Sequence, residues 1–457
     1  METELRMSKI RSIWSFFIMS VFIVIFSVNI FAVQAKILTL KEAVELTLNN
    51  NQDLLKYANT VLSMKSSLNQ KKMNFLPDIS LAGNYNKNYF KTSDDSGEFL
   101  NDNSGIFNLS LSTSLILFNG FFNVSVKDQA LSKYESSRYT YSRTEQQVIY
   151  KTILNYLDVV LSKELIRVGN ENLNTQKLLL VRIKDFFNAG KKAAVDVHYQ
   201  NAEIANSQYQ LLNSEKGLKL AKVELMNGMG LSSSLDFDVT IPGTMDPVNI
   251  GDLGKDEILE LAKKNRSDIR SAELSIDAAK HGLRSAKSGY YPKVSLSGNI
   301  SSGYSSLSNS YTFSDQVWNN NPSASIGVSV LIPVFDKGST KNQVTQAKLD
   351  LENSRINLVR INNQIWGELI QVESNYQTAL RQVEVAKAKL EYSKAALESI
   401  TERYHVNAAT ITELSQSRAN YLQSQYDQVD AKLNLYKQRV TVFYQIGDMD
   451  KMLSLVK

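Results

Sequence analysis

Two hydrophobic periods alternate along the chain. Leu369, Val372, Tyr376, Ala379, Val383, Ala386, Leu390, Leu397, Ile400 and Tyr404 keep a strict three-four spacing, with Ser393 the one polar break. Leu422, Tyr426, Val429, Leu433, Tyr436, Val440 and Phe443 do the same. A 3.5-residue repeat held this long predicts long helices in left-handed coiled-coil packing. Between Pro77 and Phe118, and again between Pro292 and Phe335, the period becomes two. Ile79, Leu81, Gly83 and Tyr85 alternate with Ser80, Ala82 and Asn84; Phe107, Leu109, Leu111, Thr113, Leu115 and Leu117 alternate with Asn108, Ser110, Ser112 and Ser114. Val294, Leu296, Gly298 and Ile300 form a third alternating run, and Ala324, Ile326, Val328, Val330 and Ile332 a fourth. Alternation predicts four strands with one apolar and one polar face.

Each strand is expected to run about ten to twelve residues, the length of a tilted strand across a bilayer. The polar face is Ser, Asn and Gly, as in a barrel lumen. Aromatic residues gather at both strand ends: Tyr290, Tyr291, Phe118, Phe121, Phe122 and Phe335 at one, Tyr89, Phe90, Tyr311, Phe313 and Trp318 at the other. That arrangement resembles two interfacial girdles. The connections Lys91–Ser104 and Ser305–Asn321 read as long polar loops.

The pattern occurs twice. Asn50, Asp53 and Pro77 recur as Asn265, Asp268 and Pro292, 215 residues later; Phe187-Asn188, Gly190, Ala193, Asp196 and Val197 recur as Tyr404-His405, Asn407, Thr410, Glu413 and Leu414, 217 later. The expected organisation is a leader over 1–35, a first unit over 36–228, a linker over 229–254, a second unit over 255–450 and a tail over 451–457. The linker reading rests on Pro242, Gly243, Pro247, Gly251 and Gly254. Four strands per chain leave open edges, which lipid does not tolerate, so the chain is expected to close its sheet with copies of itself.

Composition sharpens this. Of 457 residues only 20 are Gly and 6 are Pro, below the usual shares of roughly 7% and 5%, as long helices require. Charge is near balance at +5, against a chain that lives on nucleic acid. The absence of Cys excludes disulfides, thiolate metal sites and Cys nucleophiles, and three His leave little for metal or acid–base chemistry. Arg6, Lys9 and Arg11 precede the apolar run Ile13–Phe31, and Val33 and Ala35 stand at the minus-three and minus-one positions of a cleavage site. That is a signal-peptide plan; a retained membrane anchor is the alternative. No later stretch approaches eighteen apolar residues.

With its duplication, its Phe75-Leu76-Pro77 and Tyr290-Tyr291-Pro292 strand starts, its Phe118-Asn119-Gly120 and Phe335-Asp336-Lys337-Gly338 exits and its twice-occurring tip pattern, the chain resembles the TolC-like outer-membrane efflux family over Ile37–Leu453. The resemblance implies a mainly α fold with a membrane β-barrel portion: a long coiled-coil helical barrel plus four strands per chain, closed as twelve strands in a homotrimer. It implies an outer-membrane duct of a tripartite efflux pump or type I secretion system, with a periplasmic adaptor (membrane fusion) protein, an inner-membrane RND or ABC transporter and outer-membrane lipid as partners. No catalytic site, cofactor or metal is implied, and nucleic acid is not a partner. An envelope-spanning adaptor coiled coil anchored by Ile13–Phe31 is the alternative reading.

The family's acidic constriction carries over to Glu413, and a second family acid falls on Gln416. Tyr404 matches an aromatic that tethers neighbouring helices in the shut tip; a family Arg of that tether falls on Ala409. Asp196 is the first-unit counterpart of Glu413. Gly190, Asn407 and Thr410 mark the tip turns that would face an adaptor. Asn407 stands for the usual Gly and tolerates a left-handed turn. Ala193 stands for a Thr or Ser cap and weakens that helix start. Glu413 and Asp196 also begin helices, where the dipole favours an acid, so a purely structural role stays open. Gly228-Met229-Gly230 follows a helix rather than a strand and reads as a helix end, not a dinucleotide loop.

Overall fold

The computed structural model describes residues 36–93, 99–231, 237–240, 255–308 and 311–454. The expected leader, most of the expected linker, the tip of the first strand connection and the last three residues of the tail lie outside that set.

Thr39 opens the helical part with a capping box to Glu42, starting α1 (Leu40–Asn50). Asn51 ends α1 and caps α2 (Gln52–Met73) by accepting the Leu54 N–H at 3.1 Å. Strands β2 (Asp78–Ser93) and β3 (Phe99–Asn119) follow, β1 being the short Lys36–Leu38. Then come α3 (Phe122–Asn188, 67 residues) and α4 (Ala194–Gly228). After β4 (Phe237–Val239) the order returns: α5 (Lys255–Asn265), α6 (Ser267–Lys287), β5 (Lys293–Ser305), β6 (Ser323–Leu331), α7 (Ser339–His405, 67 residues) and α8 (Ile411–Ile446). The short α9 (Met449–Ser454) closes the chain. At 1.5 Å per residue each 67-residue helix is about 100 Å long. Among the described residues no helix is long and apolar enough to cross a membrane.

The sheet has the order β2-β3-β5-β6, antiparallel throughout. Its register aligns the apolar residues of all four strands. Leu81 pairs with Leu111, Leu111 with Ile300, Leu296 with Leu115 and Val328, and Val294 with Val330. Ser80 and Ser112 pair on the opposite face, as do Ser297 and Gly327, and Ser301 and Ser323. One face is therefore apolar from edge to edge, and most of it is exposed: Ile79, Leu81, Ile300, Ile326, Val328 and Val330 all face solvent in the single chain. Both edges, β2 and β6, are open.

The strands depart from the expected ones in three ways. β2 has 16 residues and β3 has 21, so pairing runs through much of the stretch read as the loop Lys91–Ser104. An irregularity between Ile116 and Phe118 drops Leu117 from the ladder and puts Phe118 opposite Val294, on the apolar face. β6 ends at Leu331, one residue before Ile332.

The helices enclose several separate buried clusters. α3 packs against α2, α4, α6 and α8, and α7 against α6 and α8. The largest buried cluster joins Leu38, Ile153, Leu157, Val160, Leu225 and Val440. Tyr156, fully buried there, donates to the carbonyl oxygens of Leu38 (2.9 Å) and Thr240 (2.8 Å). β4 pairs in parallel with β1 and buries Phe237 and Val239, so part of the stretch read as a linker belongs to the core. Two glycines are compelled by close approach. A Cβ on Gly120 (φ +62°) would lie 2.7 Å from the Ser288 carbonyl oxygen, and one on Gly230 (φ +69°) 2.3 Å from that of Asn50. Gly230 ends α4, as the sequence predicts.

A buried charge node ties the second unit together. Arg266 donates to both oxygens of Asp268 (3.1 and 2.7 Å), to Glu368 on α7 (3.0 Å) and to the Gln445 amide on α8 (2.8 Å). Arg143 on α3 stands 3.7 Å from Asp268 and stacks 4.1 Å from the Tyr444 ring centroid.

Candidate functional site

The sequence directs attention to the far end of the long helices, where the two hairpins α3–α4 and α7–α8 turn. Both turns share one backbone solution. Gly190 (φ +69°) and Asn407 (φ +58°) hold the left-handed position. Lys191 N–H reaches back to the Phe186 carbonyl (2.8 Å) and Ala408 N–H to that of Arg403 (2.7 Å), closing each helix end. The turns differ in how the next helix begins. Ala193 caps α4 with no side-chain bond, whereas Thr410 forms a full capping box with Glu413.

That box defines Glu413. Its Oε2 accepts from the Thr410 N–H (2.7 Å) and hydroxyl (3.0 Å), and its own N–H donates to Thr410 Oγ1 (3.2 Å). The Thr410 backbone bond, then its hydroxyl, hold the Glu413 carboxyl below its usual range, with Arg403 adding a smaller pull. The carboxylate remains exposed, and Gln416, one turn on, is exposed beside it and donates to Asn420 (3.1 Å). Glu413 and Gln416 therefore share one outward strip of α8.

Tyr404 belongs to a different cluster. Tyr404 is 1% exposed and packs with Leu179 and Ile183 of α3 and Ile411 and Leu414 of α8. Lys192, from the other hairpin's turn, places its Nζ 3.7 Å from the Tyr404 ring centroid and donates to the Tyr404 carbonyl (3.4 Å). The Tyr404 hydroxyl is buried with no hydrogen-bond partner among the described residues. Burial, with the charge of nearby Asp196 as a second cause, pushes its pKa up to about 12. So the structure joins Tyr404 and Lys192 across the two hairpins, with Asp196 near enough for its charge to act on the Tyr404 hydroxyl, while Glu413 pairs within its own turn with Thr410.

Two residues escaped the sequence reading. Lys192 carries no local signal, because its partner is 212 positions away. Arg418 did carry one: Ile411, Leu414 and Arg418 continue the buried seam of α8, and its Nε is buried with no partner among the described residues. The one polar break in the α7 seam is accommodated, since the Ser393 hydroxyl bonds that of fully buried Ser424 at 2.6 Å. Among the described residues no group of three or more His, Asp or Glu converges to hold a metal ion.

Comparison with known proteins follows the same outline. The family model described as "Outer membrane efflux protein" matches residues 43–231 and again 258–447. Outer membrane protein TolC of Escherichia coli (strain K12) is 20% identical over 418 residues, covering 88% of this chain and 80% of TolC. Among solved structures, the Campylobacter jejuni CmeC outer membrane channel superposes with a TM-score of 0.77 at 18% identity, over 92% of this chain and 89% of CmeC. The outer membrane protein VceC of Vibrio cholerae superposes with a TM-score of 0.75 at 16% identity, over 89% of this chain and 96% of VceC.

Proposed function

The chain belongs to the outer membrane efflux protein family, and from that premise we propose that it is the passive exit duct of a tripartite efflux pump or type I secretion system. One observation carries the mechanism: a sheet apolar across one whole face, open at both edges, rooted on two helices about 100 Å long. A sheet with lipid on one face cannot keep open edges, because each unpaired backbone group costs several kcal/mol in hydrocarbon. Closure needs further copies of the chain. Two would give eight strands and a bore filled by side chains; three give twelve and an open one. The homotrimer therefore fits a duct, with the Ser/Asn/Gly face lining water and the Ile/Leu/Val face against outer-membrane lipid.

The helices of three copies then continue the bore through the periplasm to the paired tips. Cargo moves down its gradient or is driven by an inner-membrane transporter through a periplasmic adaptor, and the chain itself performs no bond chemistry. The turns at Gly190, Asn407 and Thr410 are the natural adaptor contacts, since they are the far points of the tube. Glu413, with Gln416 beside it, would present one ring of charge to the tip opening, with Asp196 as its first-unit counterpart, while Tyr404 and Lys192 hold the hairpins together. Electron microscopy of the protein extracted in mild detergent tests the reading. Threefold tubes about 100 Å or longer with a detergent belt at one end are expected; thin single rods would overturn it.

A further inference from the structure

The connection between β5 and β6, read from sequence as a long polar loop, folds back onto the sheet. The Phe313 ring lies 5.6 Å from that of Phe107 and 5.1 Å from that of Tyr304. Phe107 and Tyr304 are paired neighbours on β3 and β5. They end the row formed by Leu109, Leu111 and Ile300, so Phe313 rests on the apolar face, not the polar one. The next turn, Asp315–Asn320, is pinned by a buried amide. Gln316 accepts from the Ser305 N–H (2.9 Å) and donates to the carbonyls of Ser305 (3.2 Å), Ser308 (3.3 Å) and Tyr311 (3.2 Å). Asn321 donates to the Gly303 carbonyl (2.7 Å), Ser302 to that of Val317, and Val317 is buried.

What this clasp turns outward is aromatic. Tyr311, Phe313 and Trp318 are exposed, Trp318 at 69%. The one charged residue between Ser305 and Asn321 is Asp315, and its carboxylate is turned back to Thr312 (2.6 Å). From Val294 to Tyr304 the strand climbs ten residues; at about 3.3 Å each and a tilt near 40°, that is about 25 Å, the height of a barrel's apolar band. The clasp therefore sits at the outer rim of that band.

We propose that the folded-back β5–β6 connection is a lipid-interface anchor, seating Tyr311, Phe313 and Trp318 in the headgroup region of the outer leaflet. Its partner is the lipid surface. The Tyr311 and Trp318 rings each carry one polar atom and suit that layer, Phe313 adds apolar area beneath them, and the lack of cationic side chains in the connection leaves burial of apolar area as the attraction. A neighbouring copy is a poorer occupant, because copies meet at β2 and β6 while the clasp lies over β3 and β5 in the middle of the sheet. The inference rests on the sheet being the membrane wall.

The chain has three tryptophans, Trp14, Trp318 and Trp366. The double variant Trp14→Phe/Trp366→Phe leaves Trp318 as the only indole. In a second protein, Trp318→Phe and Ile326→Trp are added, placing the reporter in the middle of the apolar face. Both are reconstituted as full-length protein in phosphatidylcholine vesicles brominated either near the headgroup or deep in the acyl chain, with iodide as the aqueous quencher. Trp318 should lose most emission to the shallow bromine and little to iodide, and the Ile326→Trp reporter most to the deep bromine. Trp318 quenched by iodide and by neither lipid, or shielded from all three, overturns the anchor while the duct stands. An Ile326→Trp reporter untouched by either lipid removes the membrane wall and the anchor with it.

Discussion

At the scale of single residues, the tip separates a charge role from a structural one. Glu413 is both an exposed acid and one half of a capping box. Glu413→Gln keeps the cap, since Gln serves that position too, but removes the charge; Glu413→Ala removes both and weakens the start of α8. A selectivity ring predicts that both variants lose cation preference in planar-bilayer recordings to the same degree. If Glu413→Gln conducts like the parent, the acid only caps. Because hydrogen bonding lowers its pKa, Glu413 stays charged to below the usual carboxylate range, so cation preference should persist through mild acid. Lys192→Met keeps the stem over Tyr404 and removes the cation. Loss of a half-exposed cation–π contact, about 0.5–1 kcal/mol, predicts a two- to fivefold rise in the open-to-closed ratio of the tip, read as channel open probability.

At the scale of elements, Arg266 decides how the second unit is held. It joins the start of α6 to α7 and α8 through Asp268, Glu368 and Gln445. Arg266→Ala leaves carboxylates without their buried partner and should cost about 3–5 kcal/mol, seen as an earlier helical melt by circular dichroism. Burial would raise the Asp268 carboxyl, but hydrogen bonds and charge from Arg266, with Arg143 behind, hold it below its usual range. A depressed folded value means that this stabilisation is fully present above the unfolded carboxylate pKa and is lost as pH falls through the folded one. The melting temperature should therefore drop below about pH 4, and Asp268→Asn should flatten that limb. The helix periods of these elements were legible, because a three-four repeat is a local property. The bulge that excludes Leu117 was not, because it arises from pairing β3 with a strand far along the chain, Ile116 meeting Ser295 and Phe118 meeting Val294.

For the whole molecule, the sheet's two faces make opposite predictions for neighbouring residues on β6. Val328 belongs to the exposed apolar face and Ser329 to the polar one. Val328→Lys in a lipid-facing wall should cost about 2–4 kcal/mol and lower the yield of assembled protein in outer-membrane extracts. Ser329→Lys, facing a water-filled bore, should assemble normally and reduce cation conductance. Equal tolerance of both would mean that neither face meets lipid.

The residue order by itself determined the periods: where helices run, where strands alternate, that the plan occurs twice, and that Gly190 and Asn407 occupy equivalent turns. These are short-range consequences of side-chain spacing and of which residues accept a left-handed backbone. It also marked Tyr404, Asp196 and Glu413 as tip residues, through the repeated motif. Glu413 pairs with Thr410 three residues away, a local box that the residue order contains, but tertiary structure alone decided the setting of Tyr404, because Lys192, which covers its ring, comes from the opposite hairpin. It decided that β1 and β4 enter the core, since a three-residue strand has too few positions to show a period. And it decided that the β5–β6 connection lies on the apolar face, because one buried amide, Gln316, satisfies four backbone groups that otherwise would need water.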